Sequence, residues 1–476
     1  MALDPRTPVI VGVGQSVRRP TVDELEGIAE PAEMMAEVLR LAGDARLLEA
    51  ADSVRVVESV SWHYANPALA VAERVGASPG DTVGTTTGGN SPQMLVNDTA
   101  LAIGRGELDV ALVVGAEAVY TRYLARKAKV WLPWSVQSDG VVPPRVLGVD
   151  LPGNNDLEMD RGILLPTQVY PMFENALRVE AGESIDEHQQ RVAALWAGFS
   201  AVAARNPYAW SPDERTADEI ATVTPDNRMV GFPYPKLMNA NIQTDQAAGL
   251  ILCSVEAARR YGVPEDRWVF PWFGGDGQDT WYLSARHSLT SSVPLRRFDV
   301  PADDIAHVDI YSCFPSAVQI AARELGFGLD RQLTVTGGLT FAGGPANNYV
   351  THSIASMVEV LRADPGSLGL VTAVGWYLTK HAVGVYSTTP PPDGFRYAVV
   401  DSELPSREAV ASYEGDVEIE AYTVMFDRDG SPETGLYALR LPDGRRAWGR
   451  SGPVDVSQEL CGRRVRLARD GTVTPP

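Results

Sequence analysis

The sequence predicts an α/β fold built as two similar halves, with a loop-rich insertion in the first half and a small β-domain at the C-terminus. Three observations carry this. Apolar β-branched runs alternate with amphipathic helical stretches along most of the chain, the pattern of a largely parallel sheet covered by helices. GGNSPQMLVNDTALAIGRGELDVALVVGAE and GGPANNYVTHSIASMVEVLRADPGSLGLVTAVGW share one order: double glycine, polar turn, helix, apolar strand ending in glycine. They differ by a few residues of loop and mark an internal duplication. After STTPPPDGF, residues 387 to 395, short alternating segments are separated by Asp-Gly pairs, which are hairpin signals.

Each element follows in order. PVIVGVG, residues 8 to 14, is the first strand, and PAEMMAEVLRLA, residues 31 to 42, places Met34, Val38 and Leu41 on one helical face. SVRVVESVSW, residues 53 to 62, reads as a strand. TTTGGNSPQ, residues 85 to 93, opens a helix over residues 92 to 105, and the strand DVALVVGAEA follows from Asp109. Residues 118 to 265 break the rhythm, with loop-like stretches around an amphipathic helix near IDEHQQRVAALWAGFSAVAA. The segment closes with QAAGLILCSVEAARRYGV, a strand or apolar helix followed by a short helix. The core halves are therefore residues 1–117 and 266–390, and 118–265 is an inserted loop domain of the kind that supplies ligand contacts. In the second half, residues 307 to 327 are strand, turn and helix, residues 335 to 362 repeat that order, and LGLVTAVGWYL is a strand. Residues 394–476 read as a small β-barrel of the oligonucleotide/oligosaccharide-binding (OB) type.

A chain of 476 residues exceeds one ordinary core. Acidic residues outnumber basic ones by 61 to 41, for a net charge of −20, which argues against nucleic-acid and membrane partners. Cys253, Cys313 and Cys461 are too few and too scattered for a disulfide framework or a paired metal motif. The start lacks the order of a signal peptide, and no apolar run is long enough to span a bilayer. A cytoplasmic protein without a metal is expected.

The duplicated halves, the insertion in the first and the turns at helix starts together resemble the thiolase superfamily, over residues 6 to 390. TTTGGNSPQMLVNDTALAIGRGELDVALVVGAEA is similar to the family's nucleophile helix and following strand. NANIQTDQAAGLILCSVEAARRYGV is similar to the segment closing its loop domain. IYSCFPSAVQIAARELG, GGLTFAGGP and VGWYLTKHAVGVYS stand where the family carries its Asn–Glu–Ala–Phe, Gly–His–Pro and Cys–x–Gly turns. The appended β-domain resembles thiolase-like proteins that carry an extra C-terminal domain. The resemblance implies mixed sheets around a central helix layer, coenzyme A or an acyl-CoA as substrate or ligand, and homodimers, with a monomer also open because of the extra domain. The catalytic residues depart from the family's. Gly89 takes the place of the first cysteine, Gly344 that of the histidine, and Gly375 and Trp376 that of the second cysteine. Usual thiolysis needs both thiols and is not expected.

Candidates remain, each with a structural alternative. Ser91 is a possible nucleophile, but with Pro92 behind it an ordinary N-cap is the stronger reading. Cys313 is either a displaced nucleophile or an inert buried thiol. Tyr349, His352 and Ser356 share a helix face, and with Tyr311 they form either a proton shuttle or a set of satisfied core residues. Arg122, Arg126, Lys127 and Lys129 cluster in TRYLARKAKVW and suit the phosphates of coenzyme A, as do Lys380 and His381. Asn90, Asn239 and Asn347 stand near turns where an amide can hold a thioester carbonyl. Two functions follow: an enzyme acting on a carbon–carbon bond or acyl group of a CoA thioester in lipid metabolism, or a non-catalytic acyl-CoA binder or partner protein.

Overall fold

The structure, a computed structural model, describes residues 3–138, 140–400 and 405–474. Six strands form the first sheet, in the spatial order Pro8–Arg18, Asp245–Ser254, Val110–Ala118, Ser53–Val56, Asp81–Thr85, Arg145–Leu147. Asp245–Ser254 runs antiparallel to both neighbours, and the remaining pairs are parallel. Every residue of that strand is buried. It is a central strand of the first half, although the apolar run it comes from reads equally well as helix and lies inside the expected insertion. The second sheet has the order Ile305–Asp309, Leu368–Gly375, Lys380–Ser387, Phe270–Gln278, Arg396–Val400. It too is mixed.

Two helices, Ser91–Gly104 and Tyr349–Ala363, lie between the sheets and touch strands of both. The first is buried along nearly its whole length, as a helix without a polar face must be. Their N-terminal turns are the two double-glycine stretches of the repeat, so the duplication brings both turns into the middle of the molecule. The insertion contributes the helices Pro166–Ala181 and Ile185–Ala203.

The C-terminal strands Gly415–Phe426, Pro432–Arg440, Arg446–Ser451, Arg464–Leu467 and Val473–Thr474 form a sheet whose ladders are all antiparallel. These ladders do not close into a barrel; an isolated parallel bridge links Arg450 and Thr472. The domain is docked through a buried charge. Arg446 is fully buried, pairs with Glu420 at 3.0 Å and donates to the Leu283 carbonyl at 3.1 Å. Three residues on, Arg286 pairs with Asp279 and donates to the carbonyls of Tyr377 and Leu378. Buried guanidinium groups persist only when so fully bonded, and here they couple the appended domain to the hairpin at residues 375–380. That hairpin needs support, because Trp376 and Leu378 both hold positive φ (55° and 58°). Among the described residues, no helix is long and apolar enough to cross a membrane.

Candidate functional site

The TTTGGN turn leaves strand Asp81–Thr85 and enters the 14-residue helix Ser91–Gly104. Asn90, not Ser91, is the N-cap; Ser91 is the first helical residue, and its hydroxyl donates back to the Thr86 carbonyl at 3.0 Å. The second half pins the turn: Gly88 N–H donates to Asn347 Oδ1, and Asn347 Nδ2 donates to the Glu58 carbonyl, both at 2.9 Å. Both ends of the Asn347 amide are thereby used to hold backbone. Among the described residues the N–H groups of Gly89 and Asn90 donate to nothing. Two free donors at the start of a buried helix suit a developing anion.

A side chain added at the glycines of this turn would meet close neighbours. A Cβ on Gly89 would collide with the Tyr311 hydroxyl and lie 2.5 Å from the Val374 carbonyl. The Tyr311 hydroxyl therefore fills the space that a side chain at residue 89 would take. Its backbone is tied to Thr372 Oγ1 at 2.8 Å, and its ring meets Tyr349 edge-on at 5.7 Å. No described residue hydrogen-bonds its hydroxyl, and burial holds the phenol far above its usual range. It stays protonated, so its O–H is available to donate. Across the site, a Cβ on Gly375 would lie 2.8 Å from Lys380 Cε, and one on Gly88 would lie 2.8 Å from Lys380 Nζ. Lys380 is the cross-strand partner of Gly375, and its stem runs back through the space that a side chain at residue 375 would take.

Lys380 is 5% exposed. Its Nζ donates to the Thr87 carbonyl at 2.5 Å and lies 5.7 Å and 5.9 Å from the rings of Trp281 and Trp376. Burial lowers its pKa to about 8, with Asp150 acting in the opposite direction. A buried ammonium at the turn is no surface contact for phosphate, so the expected phosphate role does not fit this geometry. Neither does it fit His381, which is buried against Ser292 and the Leu378 carbonyl and driven down to about 4 by desolvation. Asn90 Oδ1 is buried without a hydrogen-bond partner among the described residues and is oriented toward Gly88 and Gly375. Asn239 donates to the Pro235 carbonyl at 2.8 Å, and its Oδ1 is likewise unpartnered. Cys313 is pushed up to about 12 by burial, so its thiol stays protonated and weakly nucleophilic.

The expected shuttle of Tyr349, His352 and Tyr311 is not assembled. The Tyr349 hydroxyl is bonded to Thr336 Oγ1 (2.6 Å) and Asp309 Oδ1 (3.1 Å) on the second sheet's side. Asp309 is fully buried and also accepts from the N–H groups of Val335 and Thr336 and from Ser353. His352 turns to the first sheet, where Nδ1 meets Gln15 Oε1 at 2.9 Å, and desolvation lowers its pKa to about 3. Ser356 is bonded to the same glutamine. The shared face is real, but Tyr349 is tied to one sheet and His352 and Ser356 to the other, with His352 Nε2 buried and without a hydrogen-bond partner among the described residues.

Arg122, Arg126 and Lys127 lie on the helix Val119–Ala128, and Lys129 is its C-cap. Arg122 and Arg126 line a cavity of about 580 Å³ with Trp62, Trp131, Ile242 and Ala346; Lys127 and Lys129 do not. Arg122 also donates to the Ser61 carbonyl at 2.7 Å. The cavity wall reaches Val60 and Ala346, next to the bonded pair of Glu58 and Asn347. Lys380 was the residue hardest to read from sequence. The available signal was the pairing of a glycine with a lysine across a four-residue hairpin, WYLT.

Two mixed sheets around two buried helices, with the helix-start turns converging on one buried site, define a thiolase-superfamily architecture. Residues 398–474 match the thiolase-like protein type 1 additional C-terminal domain. A monomeric SCP2-thiolase-like protein type 1 from Mycobacterium smegmatis is 31% identical, with 100% of both chains covered and a TM-score of 0.82. The chain belongs to the SCP2-thiolase-like protein type 1 family. Human mitochondrial 3-ketoacyl-CoA thiolase (16% identity, TM-score 0.55) and the dimeric peroxisomal thiolase of Saccharomyces cerevisiae (14%, 0.54) share the fold, each over 81% of this chain and nearly all of their own (99% and 98%). No curated protein matches the chain.

Proposed function

We propose that this protein binds an acyl-CoA thioester at the TTTGGN turn and acts on its α-carbon or adjoining carbon–carbon bond without a cysteine nucleophile. The observation that carries this reading is the Tyr311 hydroxyl, seated where a side chain at residue 89, the expected nucleophile position, would project. Beside it, the free N–H groups of Gly89 and Asn90 offer the donors that an enolate oxygen needs. Arg122 and Arg126, on the rim of a largely apolar cavity, supply phosphate contacts for coenzyme A. A role in cytoplasmic lipid metabolism follows from such a ligand. The chain acts as a monomer in this reading, because strand Arg145–Leu147 pairs on the edge of Asp81–Thr85 and covers it.

The second reading, a non-catalytic acyl-CoA binder, is favoured by one observation: the residues expected at the sulfur positions, Gly89 and Gly375 with Trp376, carry no thiol, and a Cβ at Gly89 would meet the Val374 carbonyl. Calorimetry with acetyl-CoA and octanoyl-CoA tests what the two readings share, with saturable binding expected for at least one ester. Absence of heat with both would overturn both readings. Turnover of a bound ester then separates them.

A further inference from the structure

We propose that Lys380 is the catalytic base of this site, taking the α-proton of the bound thioester. The inference rests on the acyl-thioester reading above. Lys380 lies between the two halves: its stem lies over Gly375 of the second and its Nζ beside Gly88 of the first. Three glycines, Gly88, Gly89 and Gly375, are bare where Tyr311 and Lys380 enter. The ammonium has no carboxylate in contact among the described residues. The charges around it are Asp150 on the insertion and, behind the hairpin, the Arg286–Asp279 pair, which is already satisfied within itself and by the hairpin carbonyls. A lone buried ammonium is costly, and a fold that only needed a filler has apolar side chains for that purpose. Burial, which outweighs the opposing pull of Asp150, leaves an amine that is partly neutral near pH 8, the state a general base requires.

The step balances with water alone. The Lys380 lone pair takes a proton from the carbon beside the thioester carbonyl. The C–H electron pair becomes the enolate C=C bond, and the carbonyl π pair moves onto oxygen. That oxygen is held by the N–H groups of Gly89 and Asn90 and by the Tyr311 O–H. Returning the proton regenerates the thioester, and in D2O the returned particle is a deuteron.

Deuterium incorporation at the α-carbon of acetyl-CoA and octanoyl-CoA, read by mass spectrometry, tests the step in the wild type, K380M and K380R. K380R keeps length and charge but cannot lose its proton, so it is expected to fail together with K380M, each by about 10²-fold or more. Both are to melt cooperatively and to bind the ester in calorimetry. Wild-type exchange is expected to rise with pH and level off above about 8. Exchange in K380M at the wild-type rate and pH profile overturns the proposal. So does a wild-type protein that binds an ester but exchanges nothing, which leaves the binding reading intact. If neither ester binds, the binding reading fails first and the role of Lys380 falls with it.

Discussion

The two double-glycine turns descend from one pattern and have reached opposite states. In the second half, Asn347, Asn348 and Tyr349 are committed: Asn347 bridges Gly88 and Glu58, Asn348 holds the Gly115 carbonyl at 2.7 Å, and Tyr349 closes on Asp309. In the first half, the N–H groups of Gly89 and Asn90 and the buried Asn90 side-chain oxygen lack partners among the described residues, opposite the Tyr311 hydroxyl. Buried polar groups are normally bonded, and exceptions call for an explanation. One turn therefore acts as structure, while the other keeps its bonding capacity for a ligand.

The contrast is broken most directly with two tyrosines. Tyr311→Phe deletes a hydroxyl that holds nothing in the protein. It is expected to leave the melting point nearly unchanged and to lower α-carbon exchange by about 10²–10³-fold, the usual loss for one oxyanion donor. Tyr349→Phe deletes a hydroxyl from a full network around buried Asp309 and is expected to cost about 1–3 kcal/mol of stability, with exchange within a few-fold of wild type. Urea titration and the exchange assay on both variants decide the matter, and the reverse pattern would return the chemistry to the second turn.

Much of this architecture was legible in the sequence, because periodicity and repeat report local geometry. The run after STTPPPDGF showed its hairpins, and the repeat placed both turns. What escaped was set by partners distant in sequence. Tyr349 and His352 share a helix face, yet only the fold reveals that Asp309 and Gln15, on different sheets, claim them. Glycine at residue 89 reads as a lost nucleophile until Tyr311, more than two hundred residues away, is found in its space. Lys380 reads as a surface cation because a charged side chain is seldom fully buried, and nothing local announces its burial.

That burial has a thermodynamic signature. An amine lowered from the ordinary lysine range to about 8 favours its neutral form in the folded state, so the unfolded chain binds more protons between about pH 8 and 10.4. Stability contributed by this group therefore rises with pH across that window. Lys380→Met removes the penalty and is expected to be more stable than wild type by up to roughly 3 kcal/mol at pH 7. The gap should close toward pH 10. Denaturant titrations at pH 7, 8.5 and 10 measure it, and a constant gap or a destabilised variant would show that Lys380 is not held as a lone ammonium.

A smaller loss is expected at the base of the active hairpin. Glu420→Gln weakens the pairing of Arg446 in the C-terminal domain, whose guanidinium holds the Leu283 and Arg286 segment. Through Arg286 the hairpin carrying Lys380 should loosen. Exchange is expected to fall by a few-fold with unchanged ester affinity, because the hairpin supports the base and not the binding cavity. A change in affinity alone would point to the cavity instead.

The smallest effect is expected at Ser91, and its size is the useful part. Ser91 is the one hydroxyl inside the helix start at the nucleophile turn, and by sequence it competes with Tyr311 for any chemistry there. In the structure its Oγ donates to the Thr86 carbonyl at 3.0 Å within its own turn, and it is buried. Ser91→Ala removes one ordinary hydrogen bond and is expected to cost about 0.5–1.5 kcal/mol, with exchange and its pH profile unaltered. Tyr311→Phe should show the opposite ratio of stability to activity. If Ser91→Ala abolished exchange while the protein stayed folded, a serine would be acting at this turn, and the division of labour between a bonded turn and an open one would have to be redrawn around it.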